Sequence, residues 1–135
     1  MSERFELVKS YLAEIGIPIT SEVPAEELVI VQDEERGIAD MIIDCEESIL
    51  TIEQPILRVP ANPGDLFKRL LQMNRTLVHG AFVLDEDGRA VLFRDTLELA
   101  TLDRNELEGS IQALSLALAE YAEELLTFAR QGASA

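Results

Sequence analysis

The chain has 135 residues, 47% hydrophobic and 27% charged, which suits one compact domain with its own core. Eleven basic residues stand against 26 acidic ones, a net charge of −15 that argues against nucleic-acid and anionic-membrane partners and suits a basic one. Cys45 is the single cysteine, so no internal disulfide forms, and no stretch approaches the roughly 18 apolar residues of a membrane helix.

The N-terminus, "MSERFELVKS", is charged and lacks an apolar signal core, which fits a cytoplasmic setting. Residues 2–15 read as an amphipathic helix: Ser2 caps it, and Phe5, Val8, Leu12 and Ile15 share one face. Gly16 and Pro18 end it, and "GIPITSEVPAEE" is expected to be a loop. Three apolar runs follow at 28–32, 37–45 and 48–59, joined by "DEERG" and by "EE", and predict an antiparallel meander. Pro55 cannot donate to a ladder and marks an edge position or a strand end.

The period changes at "ANPGDLFKRLLQMNRTL". Asn62 is the expected N-cap and Pro63 the first residue of a helix over 63–75. Leu66, Leu70 and Met73 form one stripe, with Phe67, Leu71 and Asn74 beside it. Strands at 78–84 and 90–99 are predicted on either side of "DEDGR".

Asp103 and Glu106 then form a capping pattern for a helix over 104–131, about 42 Å long against a domain diameter of about 36 Å. Leu107, Ile111, Leu114, Leu118, Tyr121, Leu125 and Phe128 line one side of it. That stripe fits a heptad seam with a partner helix or a bed on the chain's own sheet. The sheet is favoured, because five strands need a cover. Ala117, Ala119 and Ala122 would permit close approach, and a close helix-on-sheet contact would account for Gly109. The fold class is α+β, in the order α-β-β-β-α-β-β-α, with helices on a five-stranded antiparallel sheet. One domain is expected over 1–131, with a short flexible tail at 132–135.

Residues that could carry chemistry are few. In "FVLDEDGRAVLF", counting Asp85 as the first position of a calcium loop puts Gly88 fourth, Arg89 fifth and Thr96 twelfth. A tight hairpin with Asp87-Gly88 supplying positive φ explains the stretch better. His79 is the only histidine and has no spaced cysteines to join it. Cys45 lies in an apolar strand and reads as an inert thiol. No catalytic, cofactor-binding or metal-binding residue is expected.

What remains is apolar surface in excess of one core. The helix over 63–75 is apolar on more than one side. The strands at 28–32 and 37–45 carry apolar residues at both parities, as if covered on both faces.

The stretches "LLQMNRTLVHGAFVLDEDGRAVLFRDTLEL" (70–99) and "LDRNELEGSIQALSLALAEYAEELL" (102–126), within this element order, resemble the type III secretion chaperone-like fold. CesT/Tir-type chaperones and YbjN-like proteins share that fold. A helix ending in a Met/Leu-Asn segment leads there to a strand with a small-residue core, a tight acidic-glycine hairpin and a long last helix. The resemblance implies a non-enzymatic, homodimeric protein that binds an extended or unfolded segment of a client protein, in some relatives a secreted effector. It implies a dimer seam on residues 63–75 with 78–99, for which Leu66, Phe67, Leu70, Met73 and Leu77 are the candidates. Client binding falls to the first helix and strands 28–57, with Leu28, Ile30, Ile38 and Ile42 as candidates. The YbjN branch of the fold implies instead a regulatory or stress-related role with a signalling partner.

Overall fold

The computed structural model describes residues 2–133. Helix α1 (Glu3–Ile15) opens the chain. The Ser2 hydroxyl accepts from the Phe5 N–H at 3.1 Å, and Gly16 closes the helix in the left-handed region. Strands β1 (Ile19–Val23), β2 (Leu28–Asp33), β3 (Ile38–Glu46) and β4 (Ile49–Arg58) follow. Helix α2 (Leu66–Asn74), β5 (Ala81–Leu84), β6 (Ala90–Glu98) and α3 (Arg104–Gly132) complete the chain. The strands form one antiparallel sheet in the order β1-β2-β3-β4-β6-β5.

The sheet has six strands rather than five. The additional strand, β1, lies in the segment expected to be a loop. Its side chains are exposed except for half-buried Ile19, so it carries no burial pattern. Backbone pairing to β2, from Ile19↔Val31 to Val23↔Leu28, holds it. Helix α2 starts later than its sequence signals indicate. Gly64 takes φ +56° and interrupts the helical path after Pro63. Asn62 donates its N–H to the Gly132 carbonyl at 3.0 Å instead of capping. Strand β5 starts at Ala81 because Gly80, at φ +74°, lies against the Phe93 ring. A Cβ there would stand 2.4 Å from the ring.

Alternation sends Val29, Val31, Met41, Ile43, Leu50, Ile52, Val91 and Phe93 to one face, where each is fully buried. Phe5, Val8 and Leu12 of α1, Leu66, Leu70 and Met73 of α2, and Leu107, Ile111, Leu114, Tyr121 and Leu125 of α3 join them in one core. The α3 stripe thus lies against the sheet. Ala117 is buried in that contact, whereas Ala119 is exposed.

Polar side chains finish the ladders where backbone pairing stops. Beyond the pair Ile42↔Glu53, β4 leaves β3, and Pro55 falls there, at a bulge against β6. Buried Gln54 replaces the missing ladder: it donates to the Gly37 carbonyl and accepts from the Ala39 N–H, each at 3.0 Å. Asn74 brackets β5 in the same way, accepting from the Phe82 N–H at 2.7 Å and donating to its carbonyl at 3.1 Å. Asp95 receives the Ser110 hydroxyl of α3 at 2.6 Å.

Two glycines of α3 have opposite surroundings. A Cβ on Gly109 would meet nothing within 4 Å, so Ser110, not Gly109, makes the close contact with the sheet. A Cβ on Gly132 would stand 2.4 Å from the Asn62 carbonyl oxygen. Gly132 is thus the buried last residue of α3 and not the first of a tail; residues 134 and 135 lie outside the described residues. In urea titrations, Gly109→Ala is expected to stabilise the protein by about 0.5–1 kcal/mol. Gly132→Ala is expected to destabilise it by about 1–3 kcal/mol.

Candidate partner-binding surfaces

The three helices occupy one face of the sheet. Among the described residues no helix crosses the other. Leu28, Ile30, Ile42, Asp44, Thr51, Glu53, Leu92 and Arg94 project from it, set by the pairs Leu28↔Asp44, Ile30↔Ile42, Asp44↔Thr51 and Ile42↔Glu53. Leu28, Ile30, Ile42 and Leu92 are half-buried there, whereas Val23 and Ile49, on the same face, are exposed. Strand β1 borders this face as the edge of the sheet, so half of its backbone groups point away from β2.

Three of the four expected client-binding residues, Leu28, Ile30 and Ile42, meet on this face. Ile38 does not. It is 0% exposed and belongs to the core. Strict alternation would have put it beside Ile42. Asp40, however, adopts φ +51°, and β2 and β3 slip in register between Val31 and Asp33, so the face changes between Ile38 and Met41.

The expected dimer residues separate similarly. Leu66 and Met73 are 0% and Leu70 5% exposed, all facing the core, so they are unavailable for a seam in the folded chain. Phe67 is exposed on the outer side of α2 and Leu77 half-buried after it. Both stripes of α2 are apolar, and the sequence does not say which turns inward. Two exposed residues outside the expected set lie near them: Leu71, at 72% exposure, and Val78, at 86%. Beside Val78 a cleft of about 510 Å³ runs between residues 76–79 and the outer side of α3, where Leu116 is exposed.

The α2–α3 contact beneath is fixed by polar groups. The Arg69 guanidinium forms a two-pronged ion pair with Glu124 and lies 5.7 Å from the Tyr121 ring centre. The Tyr121 and Thr76 hydroxyls are 2.6 Å apart.

Asp85, Gly88, His79 and Cys45 form no chemical site among the described residues. Asp85 turns the β5–β6 hairpin: its carboxylate accepts from the Arg89 N–H at 2.8 Å and the Ala90 N–H at 3.2 Å. Gly88 alone supplies the positive φ, at +71°. His79 is exposed in the connection before β5 rather than in a strand. Burial, followed by the charges of Glu27 and Asp44, pushes the Cys45 thiol up to about 11. Among the described residues no three metal-ligating side chains gather, and no helix is long and apolar enough to cross a membrane.

Asp44 is the unusual group. It projects from the open face between Leu28 and Thr51, its Oδ1 is sealed from water and unpaired among the described residues, and the carboxyl interacts with Glu46 by a side-chain hydrogen bond. Burial, with the neighbouring carboxylates of Glu46, Glu26 and Glu53, pushes its carboxyl up to about 6. Nothing in the sequence distinguishes Asp44 from the other acidic residues, because its environment is made by strands that pair across the sheet.

Known proteins place this architecture. Residues 1–131 match the CesT_Tir_1 family, and the chain belongs to that family. Solved structures share the fold. YbjN from E. coli superposes with a TM-score of 0.70 at 14% identity, over 90% of this chain and 92% of that one. The ExsC–ExsE complex matches at 0.61 and 19% identity, over 84% and 86%. The Yersinia pestis type III secretion chaperone SycH, solved with a stable fragment of YscM2, matches at 0.54 and 13% identity, over 93% and 98%. No curated protein matches the sequence significantly.

Two stability measurements follow from this geometry. Leu70→Glu buries a charge among Leu66, Met73 and the sheet and is expected to cost upwards of ~3 kcal/mol, whereas Leu71→Glu, one residue on, is expected to leave the thermal midpoint nearly unchanged. Asp44 takes up its proton more readily when folded than when unfolded. Its ionisation therefore lowers stability as pH rises from about 3.8 to about 6, and the penalty persists above that range. Asp44→Asn is expected to raise stability at pH 7.5 by roughly 1 kcal/mol and to make no difference near pH 4.

Proposed function

We propose that the protein is a non-enzymatic, cytoplasmic binding module of the type III secretion chaperone type that holds an extended or unfolded segment of another protein and acts as a homodimer. The observation that carries this reading is the open sheet face, where Leu28, Ile30 and Ile42 lie next to the unpaired edge of β1. An extended segment can lie along that face with its apolar side chains on Leu28, Ile30 and Ile42, or add to the β1 edge through main-chain hydrogen bonds. Family membership supports the reading. So does the company of the fold, since ExsC is solved with ExsE and SycH with a fragment of YscM2. The net charge of −15 would keep a complex with an aggregation-prone segment in solution.

For the dimer, the outer side of α2 and the connection after it supply Phe67, Leu71, Leu77 and Val78. Light scattering at micromolar concentration should give twice the mass of one chain, and Leu71→Glu should give the monomer with its fold intact. A monomeric wild type removes this seam.

The TM-score to YbjN, 0.70, favours a second reading, in which the partner is a regulatory protein instead of a secretion client. A transcription-regulatory role has been put forward for YbjN itself. Genes of a secretion apparatus beside this one would favour the client reading.

The direct test is co-expression with each protein encoded nearby, followed by size-exclusion chromatography and hydrogen exchange. A stable complex with protection over residues 19–46 is expected, lost in Ile30→Asp. Failure to form a complex with any of them, or protection confined to the helical face, would defeat the proposal.

A further inference from the structure

Val78 is the most exposed of the large apolar side chains described, at 86%, and it stands beside a cleft that it leaves open. That cleft, of about 510 Å³, has residues 76–79 as its near wall and Leu116 and Glu120 of α3 as its far wall. Gly109 and the buried Ala113 and Ala117 form its floor. No contact among the described residues calls for Gly109. It lies inside α3 without a positive φ, a Cβ on it would meet nothing within 4 Å, and a glycine there weakens the helix relative to alanine. What it provides is room for a close approach from outside the chain. The charges beside the cleft are divided. On the near side, α2 carries no acidic residue, and Lys68 and Arg75 join no ion pair among the described residues. On the far side, Glu120 and Glu123 are likewise without one.

We propose that this cleft is the socket of the homodimer: Val78 of a second copy of the chain enters it, and Val78 of the first copy enters the second copy's cleft. Knob and socket adjoin in one chain, so a two-fold axis passing between two copies fills both sockets at once, as a self-complementary interface requires. Leu77 and Val78 belong both to the near wall and to the seam begun by Phe67 and Leu71, so seam and socket form one continuous surface. Charge favours a second copy as the occupant. Two chains of −15 repel each other, and their contact is least costly where unpaired cations meet carboxylates. The two-fold brings Lys68 and Arg75 of one copy toward Glu120 and Glu123 of the other. Val78 and Leu116 of both copies leave water, and Gly109 lets the incoming side chain seat against the α3 backbone. This inference rests on the chain being a homodimer and adds which surface receives which.

Sedimentation velocity of the full chain across a micromolar dilution series gives the dimer dissociation constant. Val78→Glu and Gly109→Leu are each expected to weaken the wild-type dimer by about tenfold or more, with far-UV circular dichroism unchanged. Leucine forms helix better than glycine and has open space at position 109, so loss of the dimer in that variant is not loss of the fold. Mild oxidation of a tagged Val78→Cys chain mixed with an untagged Leu116→Cys chain should yield a tagged–untagged disulfide. A Leu126→Cys chain, whose residue is exposed away from the cleft, should not cross-link to it. If the wild type is monomeric throughout, the homodimer reading and this inference fall together. If the wild type is dimeric and Gly109→Leu dimerises equally well, the cleft is not the socket and only this inference falls. It also falls if Gly109→Leu keeps the dimer and instead abolishes the complex with a co-expressed protein, since the cleft then belongs to that partner.

Discussion

The structure depends on one constraint of area. Six strands about 4.8 Å apart make a sheet some 25 Å wide, and three helices, each about 10 Å across, cover one side of it. Nothing is left over for the other side. Most inward side chains of the central strands are consequently buried, and every outward one must tolerate water or find a cover from another molecule. The outward residues Asp44, Thr51, Glu53 and Arg94 break the apolar surface into smaller pieces. A face that is apolar in patches and polar between them can exist alone and still accept a partner.

Covering one face with helices requires them to stay in register with a sheet whose ladders are incomplete. Gln54 closes the gap where β4 leaves β3, and Asn74 supplies a partner for the edge strand β5. Each satisfies one backbone N–H and one carbonyl with a single amide, as a ladder pair would. Ser110 and Tyr121 then tie α3 to β6 and to the end of α2. Position matters more than number here: each bond sits where two elements would otherwise slide past each other.

Most of this fold is legible in the sequence because it rests on periodicity and caps. Ser2 and Asp103 announce α1 and α3, and the stripe from Leu107 to Leu125 gives the inward side of α3. Strand β1 is not legible, because backbone pairing rather than burial makes it a strand. The face of Ile38 is hidden because the left-handed turn at Asp40, a residue with a Cβ, reverses the alternation without a glycine to mark it. In α2 both sides carry large apolar residues, and Phe67 is bulkier than Leu66. The seating of Asn74 on Phe82, with the Arg69–Glu124 and Thr76–Tyr121 contacts to α3, goes with Leu66, Leu70 and Met73 facing inward. The open face is half legible: Leu28, Ile30 and Ile42 stand out by hydrophobicity, whereas Asp44 differs from two dozen other acidic residues only in what surrounds it.

That difference separates the charge of the whole chain from the charge of one site. The field of −15 acts over a Debye length of about 8 Å or more, on any basic molecule, and weakens with salt. It can raise the rate of encounter and cannot choose a register. Asp44 acts only at contact: burial, with Glu46, Glu26 and Glu53 close by, raises its affinity for a proton, and the fold bears the cost of its ionisation as reduced stability, in full once the pH passes about 6.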